Sequence, residues 1–524
     1  MGIKRPPVFK QLAFETAVRN PERYLPILKI LEEFGGTILT RQIIMLIIVK
    51  MYQNEILNNP EIDPHEKDLE LLRNKIEEVN SSRNSDGGYP KGYPSRFWTY
   101  VRTLSEFGFV LAQFEQPLIL SEVTKKLLRE EIDLSIAFAV QAIGYNRRSP
   151  FRNVANDFNY FSFIIQVLFQ LKSKERYLSY HHFIISLFSK DGNVLDFMDL
   201  IKNTSFNNNM ELYQYLQEHY EITNKLETVI IDYPDVVLRI LRITGFFKIG
   251  SQYQIRISPT NFLLIQKLFT ITGEYTSDEK ADAKLYFLKY NQNSKALLPL
   301  ILEEYACDPS NKYNFSKIIE EGFKNEEVAK AYYLSQLQKL IHKNKQLDSE
   351  TEHLMTDPLK LEFYISMLLH LTLHEQYTVY PRYQATHTGI PFETAPSGAA
   401  DIVVKSNLPG EVEWVVEVTL IKARDQQLNS ETFNNLRHFT TLSKKSYLSL
   451  IAPIIHPDTE AMYKFIPFYR KVISPLPNNI EVYVKPYTIE DFINLLISAD
   501  PFQDMEDYTQ EIFKGMQKFF VNPK

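Results

Sequence analysis

The stretch GAADIVVKSNLPGEVEWVVEVTLIKARDQQ, beginning at Gly398, sets acidic residues where a strand would otherwise carry only apolar ones. Asp401 ends a small-residue turn and starts the strand Ile402-Val403-Val404. Leu408-Pro409-Gly410 then turns the chain, and Glu411 to Leu420 returns beside it. Side chains alternate along a strand, so Glu411, Glu413, Val415, Glu417 and Thr419 share one face, and Val412, Trp414, Val416 and Val418 the other. A hairpin brings Asp401 next to a residue near the end of the second strand; Glu417 is the natural partner if the hairpin is bent or bulged. Two carboxylates there, joined by the carbonyl of Val418 and by waters, form an oxygen cage suited to Mg²⁺. Such an ion could bind a scissile phosphate and lower the pKa of an attacking water.

The elements around this hairpin must hold it in place. A helix opening at Pro358, LKLEFYISMLLHLTLHE, is apolar nearly throughout except for Glu362, His370 and His374. An unpaired buried carboxylate is expensive, which marks Glu362. His370 and His374 stand four apart, a spacing that can bind zinc or can sit satisfied in a core. After the hairpin, FNNLRHFTTLSKK carries Arg437 and His438, read either as an active-site helix or as a surface one. Lys444 and Lys445 are phosphate contacts or merely solvated. YLSLIAPII then reads as a buried parallel strand and IEVYVKPYTIEDFINLLI as a further strand and helix, which completes a small α/β sheet.

This pattern resembles the PD-(D/E)XK nuclease motif, with two departures: Ala400 stands where the motif has proline, and Thr419 where it has lysine. The resemblance gives that lysine the task of orienting or activating water, which leaves it to Lys422, to His438, or to a second metal held partly by Glu362. The Glu-Val-Thr ending, the upstream Leu361-Glu362, the downstream helix with Gln426, Gln427 and Arg437-His438, and RFWTYVRTLSEFGFV from Arg96 together resemble the AlwI family of type IIS restriction and nicking endonucleases. The resemblance covers most of the chain. It implies metal carboxylates at Asp401 and Glu417, with Glu362 as a third and Glu413 as an outer or second-metal candidate. Catalytic work falls to Asp401, Glu417, Glu362 and His438, with one or two Mg²⁺ ions held by those carboxylates and by Val418. It further implies a short asymmetric site in double-stranded DNA, with hydrolysis outside that site. A homodimer, a second small catalytic subunit and nicking of one strand all remain open.

The N-terminal half supplies candidates for reading DNA. Between Gln141 and Tyr160, Arg147, Arg148 and Arg152 face a single acid, Asp157, and interleave with Tyr145, Phe151, Phe158 and Tyr160. That suits phosphate and base contacts, or else a solvated surface. Two segments, from Tyr93 and from Tyr233, run alike: a Tyr-Pro, a capping residue (Ser95, Asp235), an amphipathic helix, a glycine (Gly108, Gly245) and two short strands. Helix then hairpin is the end of a winged helix, whose helix before the wing usually enters the major groove. Arg96, Thr99 and Arg102 in the first copy, and Arg239 and Arg242 in the second, are the expected readers. Such modules also serve as protein-interaction domains.

Length and composition agree with several domains. The chain has 524 residues, 44% hydrophobic and 23% charged, with a formal net charge of -6. We expect a multidomain protein with a mainly α N-terminal half, assigned as 1–175 (first winged-helix-like module) and 176–268 (second), a helical linker at 269–357, and an α/β nuclease-like domain at 358–524. The polar string KNKQLDSETEHLMTDP reads as the boundary before that last domain. The longest apolar run, Ile43 to Val49, is far short of the roughly 20 residues that cross a bilayer, so no membrane is expected. MGIKRPPVF has no secretory character, and the single cysteine, Cys307, fits a reducing cytoplasm. The rival from another class is a non-catalytic winged-helix regulator, or a subunit needing a partner, supported by the missing motif lysine.

Overall fold

The structure is a computed structural model of the chain. It describes residues 6–82, 95–172, 177–250, 253–257, 265, 267–268, 273–305, 313, 315–342, 354–396, 398–439, 443–469 and 480–521. Two compact units divide at Cys307 and Asp308. No described helix is long and apolar enough to cross a membrane.

The first unit is mainly helical. Helices α1 (Tyr24–Glu33) and α2 (Arg41–Gln53) pack together, and α2 buries Ile44, Met45, Ile47, Ile48 and Val49 from the long apolar run. The Thr40 side chain caps α2 by accepting from the Ile43 N–H. Helix α3 (Ser95–Glu106) leads into the antiparallel pair β1 (Val110–Leu111) and β2 (Ile119–Leu120). Helix α4 (Leu134–Gly144) is buried along its whole length. The second copy repeats the order with α5 (Tyr233–Ile243), β3 (Phe247–Ile249) and β4 (Ile255–Ile257). Both helix-then-hairpin passages are therefore present. Asp235, expected as a cap, lies inside the first turn: a π-helical turn at Thr228–Asp232 runs straight into α5, so no free helix start exists there to cap.

Gly108 shows why the first passage needs glycine. Its φ is +65°, and a Cβ there would meet the Tyr290 ring at 2.5 Å. Tyr290 belongs to α6 (Ala283–Tyr305), which packs on α4; its hydroxyl donates to the Gln141 carbonyl, and the Ser294 hydroxyl donates to Gln141 Oε1 at 2.6 Å. The expected linker, 269–357, is thus shared out. Helix α6 buries its aromatic face in the first unit, while α7 (Glu326–Ile341) packs on helices of the second. Of the polar string expected as a boundary, residues 343–353 lie outside the described residues.

The second unit is an α/β layer structure. After helix α8 (Asp357–Leu373) come β5 (Tyr377–Pro381), β6 (Ile402–Ser406), β7 (Val412–Val418), helix α9 (Phe433–His438), β8 (Lys445–Ala452), helix α10 (Pro457–Phe468), β9 (Glu481–Val484), β10 (Tyr487–Thr488), and helices α11 (Ile489–Ser498) and α12 (Pro501–Val521). The sheet runs β9-β8-β7-β6-β5, with β10 also on β8. Neighbours β5/β6 and β6/β7 are antiparallel; β7/β8, β8/β9 and β8/β10 are parallel, so the sheet is mixed. Helices cover both faces, as parallel strands require. Trp414, Val416 and Val418 pack with Leu361, Ile365 and Phe492 in one cluster, while Val403 and Val415 pack with Tyr463 and Ile466 in the other. The alternation read from the sequence is the alternation in the sheet.

Candidate active site

The pairing of β6 with β7 places the acids. Ile402 lies opposite Val416, so Asp401, one residue before the strand, comes level with Glu417. The ladder from Ile402 to Lys405 runs in register, so no bulge is needed to bring them together. On its other edge β7 uses the Thr419 N–H to reach the Ile451 carbonyl, at 3.0 Å. The Val418 N–H faces the opposite way and donates to Asp401 Oδ2 at 2.8 Å. Asp401 is thereby locked to the strand that carries Glu417.

Glu417 is 4% exposed, and its Oε1 lies 2.8 Å from Nδ1 of His438, the last residue of α9. Asn435 on the same helix donates to the Tyr463 hydroxyl at 2.8 Å, which ties α9 to α10. From the helix across the sheet, Glu362 contributes a third carboxyl, 5% exposed, whose Oε2 accepts from the Ala395 N–H at 3.2 Å. Burial, followed by the nearby charge of Glu417, pushes the Glu362 carboxyl up to about 7 against the lowering effect of the Ala395 hydrogen bond. Asp401 and His438 thus each reach the strand of Glu417, and Glu362 lies near enough to feel its charge.

The donor chemistry suits a hard divalent cation. Among the described residues, Glu417 and Glu362 have a ring nitrogen and a backbone N–H as hydrogen-bond partners and no lysine or arginine. Two buried carboxyls with so few donors, one of them pushed toward its neutral form, are stabilised as carboxylates by an added cation. The carboxylates are not drawn into a finished cage: among the described residues, no group of three His, Cys, Asp or Glu side chains is arranged to hold a metal ion.

Other candidates fall elsewhere. Glu413, 4% exposed, is engaged by Lys405 directly across the hairpin, with Nζ 3.1 Å from Oε2. An ion pair, rather than an open ligand position, is what the structure shows there. Thr419 accepts from the Ile421 N–H at 3.2 Å and offers no cation at the motif-lysine position. Lys422 is exposed. Glu411 pairs with Lys444 at 2.5 Å, and Lys445 with Glu506 at 2.9 Å. His370 packs on Phe315, with its Nε2 3.5 Å from the Ser316 hydroxyl; burial and then His374 push it down to about 4. No ring of zinc ligands forms around that pair among the described residues.

Two supporting groups escaped the sequence reading: the Ala395 amide, which carries no sequence signal, and Lys405, whose cross-strand position opposite Glu413 was available from the hairpin once its register was known.

A family model described as AlwI restriction endonuclease matches residues 105–308 and 301–495. The chain belongs to this family. No curated protein matches it. Among solved structures, the small subunit of the heterodimeric restriction endonuclease R.BspD6I is similar at 16% identity over 36% of this chain and 97% of that one, with a TM-score of 0.25. The BpuJ1 endonuclease binding domain, solved with pyrene- and phenanthrene-modified DNA, has 14% identity over 55% and 97%, with a TM-score of 0.33. Restriction endonuclease FokI has 8% identity over 94% and 96%, with a TM-score of 0.24. The family assignment rests on the sequence match.

Within this AlwI-family chain, the arginines expected to read DNA divide sharply. Arg147 is 2% exposed and donates to the carbonyls of Leu187 at 3.1 Å, of Ser189 at 3.0 Å, and of Lys10. Burial lowers its pKa to about 10. Arg147 is a structural crosslink, because a guanidinium taken out of water must spend its donors internally. Arg242 is 5% exposed within the buried face of α5 and cannot enter a groove. Arg152 is held at 3.0 Å by the buried Glu106, and Arg239 by Asp235 at 3.0 Å and Asn20 at 2.9 Å. Arg148 is exposed, Thr99 is half-buried, and Arg102 is exposed while paired with Glu15. The Arg96 side chain lies outside the described residues.

Proposed function

We propose that this restriction endonuclease is type IIS-like: the N-terminal unit binds a short asymmetric duplex sequence through its winged-helix-like modules, and the C-terminal unit hydrolyses a phosphodiester outside that sequence. The observation that carries the reading is the convergence of Asp401, Glu417, Glu362 and His438 beside one hairpin of a family-assigned chain. Asp401 and Glu417, with the Val418 carbonyl, would hold Mg²⁺, and Glu362 would complete that site or a second one. When bound, the ion supplies positive charge to the scissile phosphate and acidifies an attacking water. Glu417 holds His438 through Nδ1, which makes Nε2 the ring atom that exchanges a proton with water or the leaving oxygen. His438 thus takes the task that the motif gives to lysine. A single such site cuts one strand, so duplex cleavage calls for a second copy or a small catalytic partner, and a lone chain nicks.

The test is supercoiled plasmid incubated with the full chain and Mg²⁺, beside Asp401→Ala and Glu417→Ala proteins and an EDTA control. Discrete linear fragments or a clean nicked circle, lost in both variants, support the reading. Plasmid left intact while sequence-specific binding persists would make the chain a DNA-binding protein or a subunit awaiting its partner.

A further inference from the structure

The first unit contains a cleft of about 770 Å³ that no catalytic argument uses. Its walls come from four separate places: the segment around residues 6–16, helix α3, the loop at 151–154, and Tyr233 at the start of α5. Lys10, Glu15, Arg102, Phe151, Arg152 and Asn153 supply its chemistry. Three cations and one acid line it, and since Arg102 pairs with Glu15 and Arg152 with the buried Glu106, Lys10 carries the cleft's surplus positive charge.

Arg102 and Arg152 play different parts in it. Arg152 is 20% exposed at its side chain and committed to Glu106, 1% exposed, with its guanidinium over the Phe14 ring at 5.9 Å. Arg102 is 46% exposed at its side chain and its NH1 donates to Glu15, itself 21% exposed. That bond spans 87 residues, so tertiary structure rather than local sequence holds the two side by side. Gripped on one nitrogen, the guanidinium keeps the rest of its donor fork available, while the Glu15 carboxylate keeps acceptor capacity. Arg102 also lies on the helix that precedes a hairpin.

A donor fork beside an acceptor complements one base pair better than any other. In the major groove, guanine offers O6 and N7 as acceptors and its cytosine offers the N4 amino group as a donor. We infer that the Arg102–Glu15 pair reads a G·C base pair of the target duplex, with Arg102 on guanine O6 and N7 and Glu15 on cytosine N4, while Lys10 gives the cleft its attraction for the backbone. This rests on the N-terminal unit being the DNA reader. It adds which base pair is read at this point, and by which two side chains. Glu15, absent from any motif, becomes a specificity-determining residue.

The test is selection of a randomised duplex library by the full chain in metal-free buffer, sequenced for wild type, Arg102→Ala and Glu15→Gln, with thermal melting of each protein as a check on folding. One position of the enriched sequence is expected to be G·C. Arg102→Ala should lose that preference on the order of 10- to 100-fold while the other positions keep theirs, and Glu15→Gln should weaken it at the same position. An enriched sequence left unchanged by both variants, or affinity reduced alike for every sequence with a shallower salt dependence, overturns the inference and reduces Arg102 to a phosphate contact. A library that yields no enriched sequence with wild type overturns it together with the recognition half of the proposed function. Plasmid cleavage lost in Asp401→Ala tests the other half separately.

Discussion

Nδ1 of His438 lies 2.8 Å from Oε1 of Glu417, joining the last turn of a helix to a central strand 21 positions earlier in the chain. The contact orients the imidazole as a carboxylate orients a general base in other hydrolytic sites. His438→Ala is therefore expected to lower single-turnover cleavage by about 10²- to 10⁴-fold while duplex affinity holds. Cleavage within a few-fold of wild type would remove His438 from the mechanism.

The ion pair between Lys405 and Glu413 gives a prediction about stability rather than chemistry. Lys405 is about half exposed and Glu413 almost wholly buried, so loss of the lysine strands a charge in the sheet. Lys405→Met should cost about 2 kcal/mol in chemical denaturation, and Glu413→Gln noticeably less. Both proteins should cut normally once folded. Abolished cleavage in a stable, folded Glu413→Gln protein would instead return Glu413 to the metal site.

Arg147 and its neighbour Arg148 should separate cleanly in experiment. Arg147→Ala leaves three carbonyls without their donor and is expected to destabilise the first unit by about 3 kcal/mol. Arg148→Ala, at an exposed position, should leave the melting temperature unchanged. If Arg148 contacts a phosphate, that variant also flattens the dependence of log affinity on log salt by about 0.9.

His370 sets a pH dependence. Its folded pKa is about 4, depressed by burial, against an ordinary histidine value near 6.5. Between those values the unfolded chain binds the proton and the folded chain does not, so this contribution to stability is complete above about pH 6.5 and declines as pH falls toward 4. His370→Gln should shrink the acid-side loss of stability of the folded chain between pH 6.5 and 4. An unchanged melting profile across that window would show that the ring is solvated.

The legible parts of this protein are those set by short-range pattern. Period-two alternation put Trp414 and Val416 on one face and Val415 with Glu417 on the other, and the sheet follows it. Asp401, Glu417 and His438 came from residue type and spacing together with the family resemblance, because the hairpin and the following helix are local. The expectation that Arg147 and Arg242 read DNA fails because charge alone does not reveal burial: three backbone carbonyls from distant segments decide the fate of Arg147. The Arg102–Glu15 pair was illegible for the same reason, since no local rule links positions 87 apart. The helix Ala283–Tyr305 reads as a connector in the sequence because its amphipathic stripe does not say which core it serves.

That helix also determines how the protein could be divided. Tyr290 seats its ring where Cβ atoms on Gly108 and Gly144 would come within 3 Å of it, at 2.5 and 2.9 Å. A fragment cut at residue 268 would lose this ring and open an apolar socket beside the first hairpin. Anyone isolating the first unit should carry the chain through Tyr305, and should treat both glycines as part of its packing.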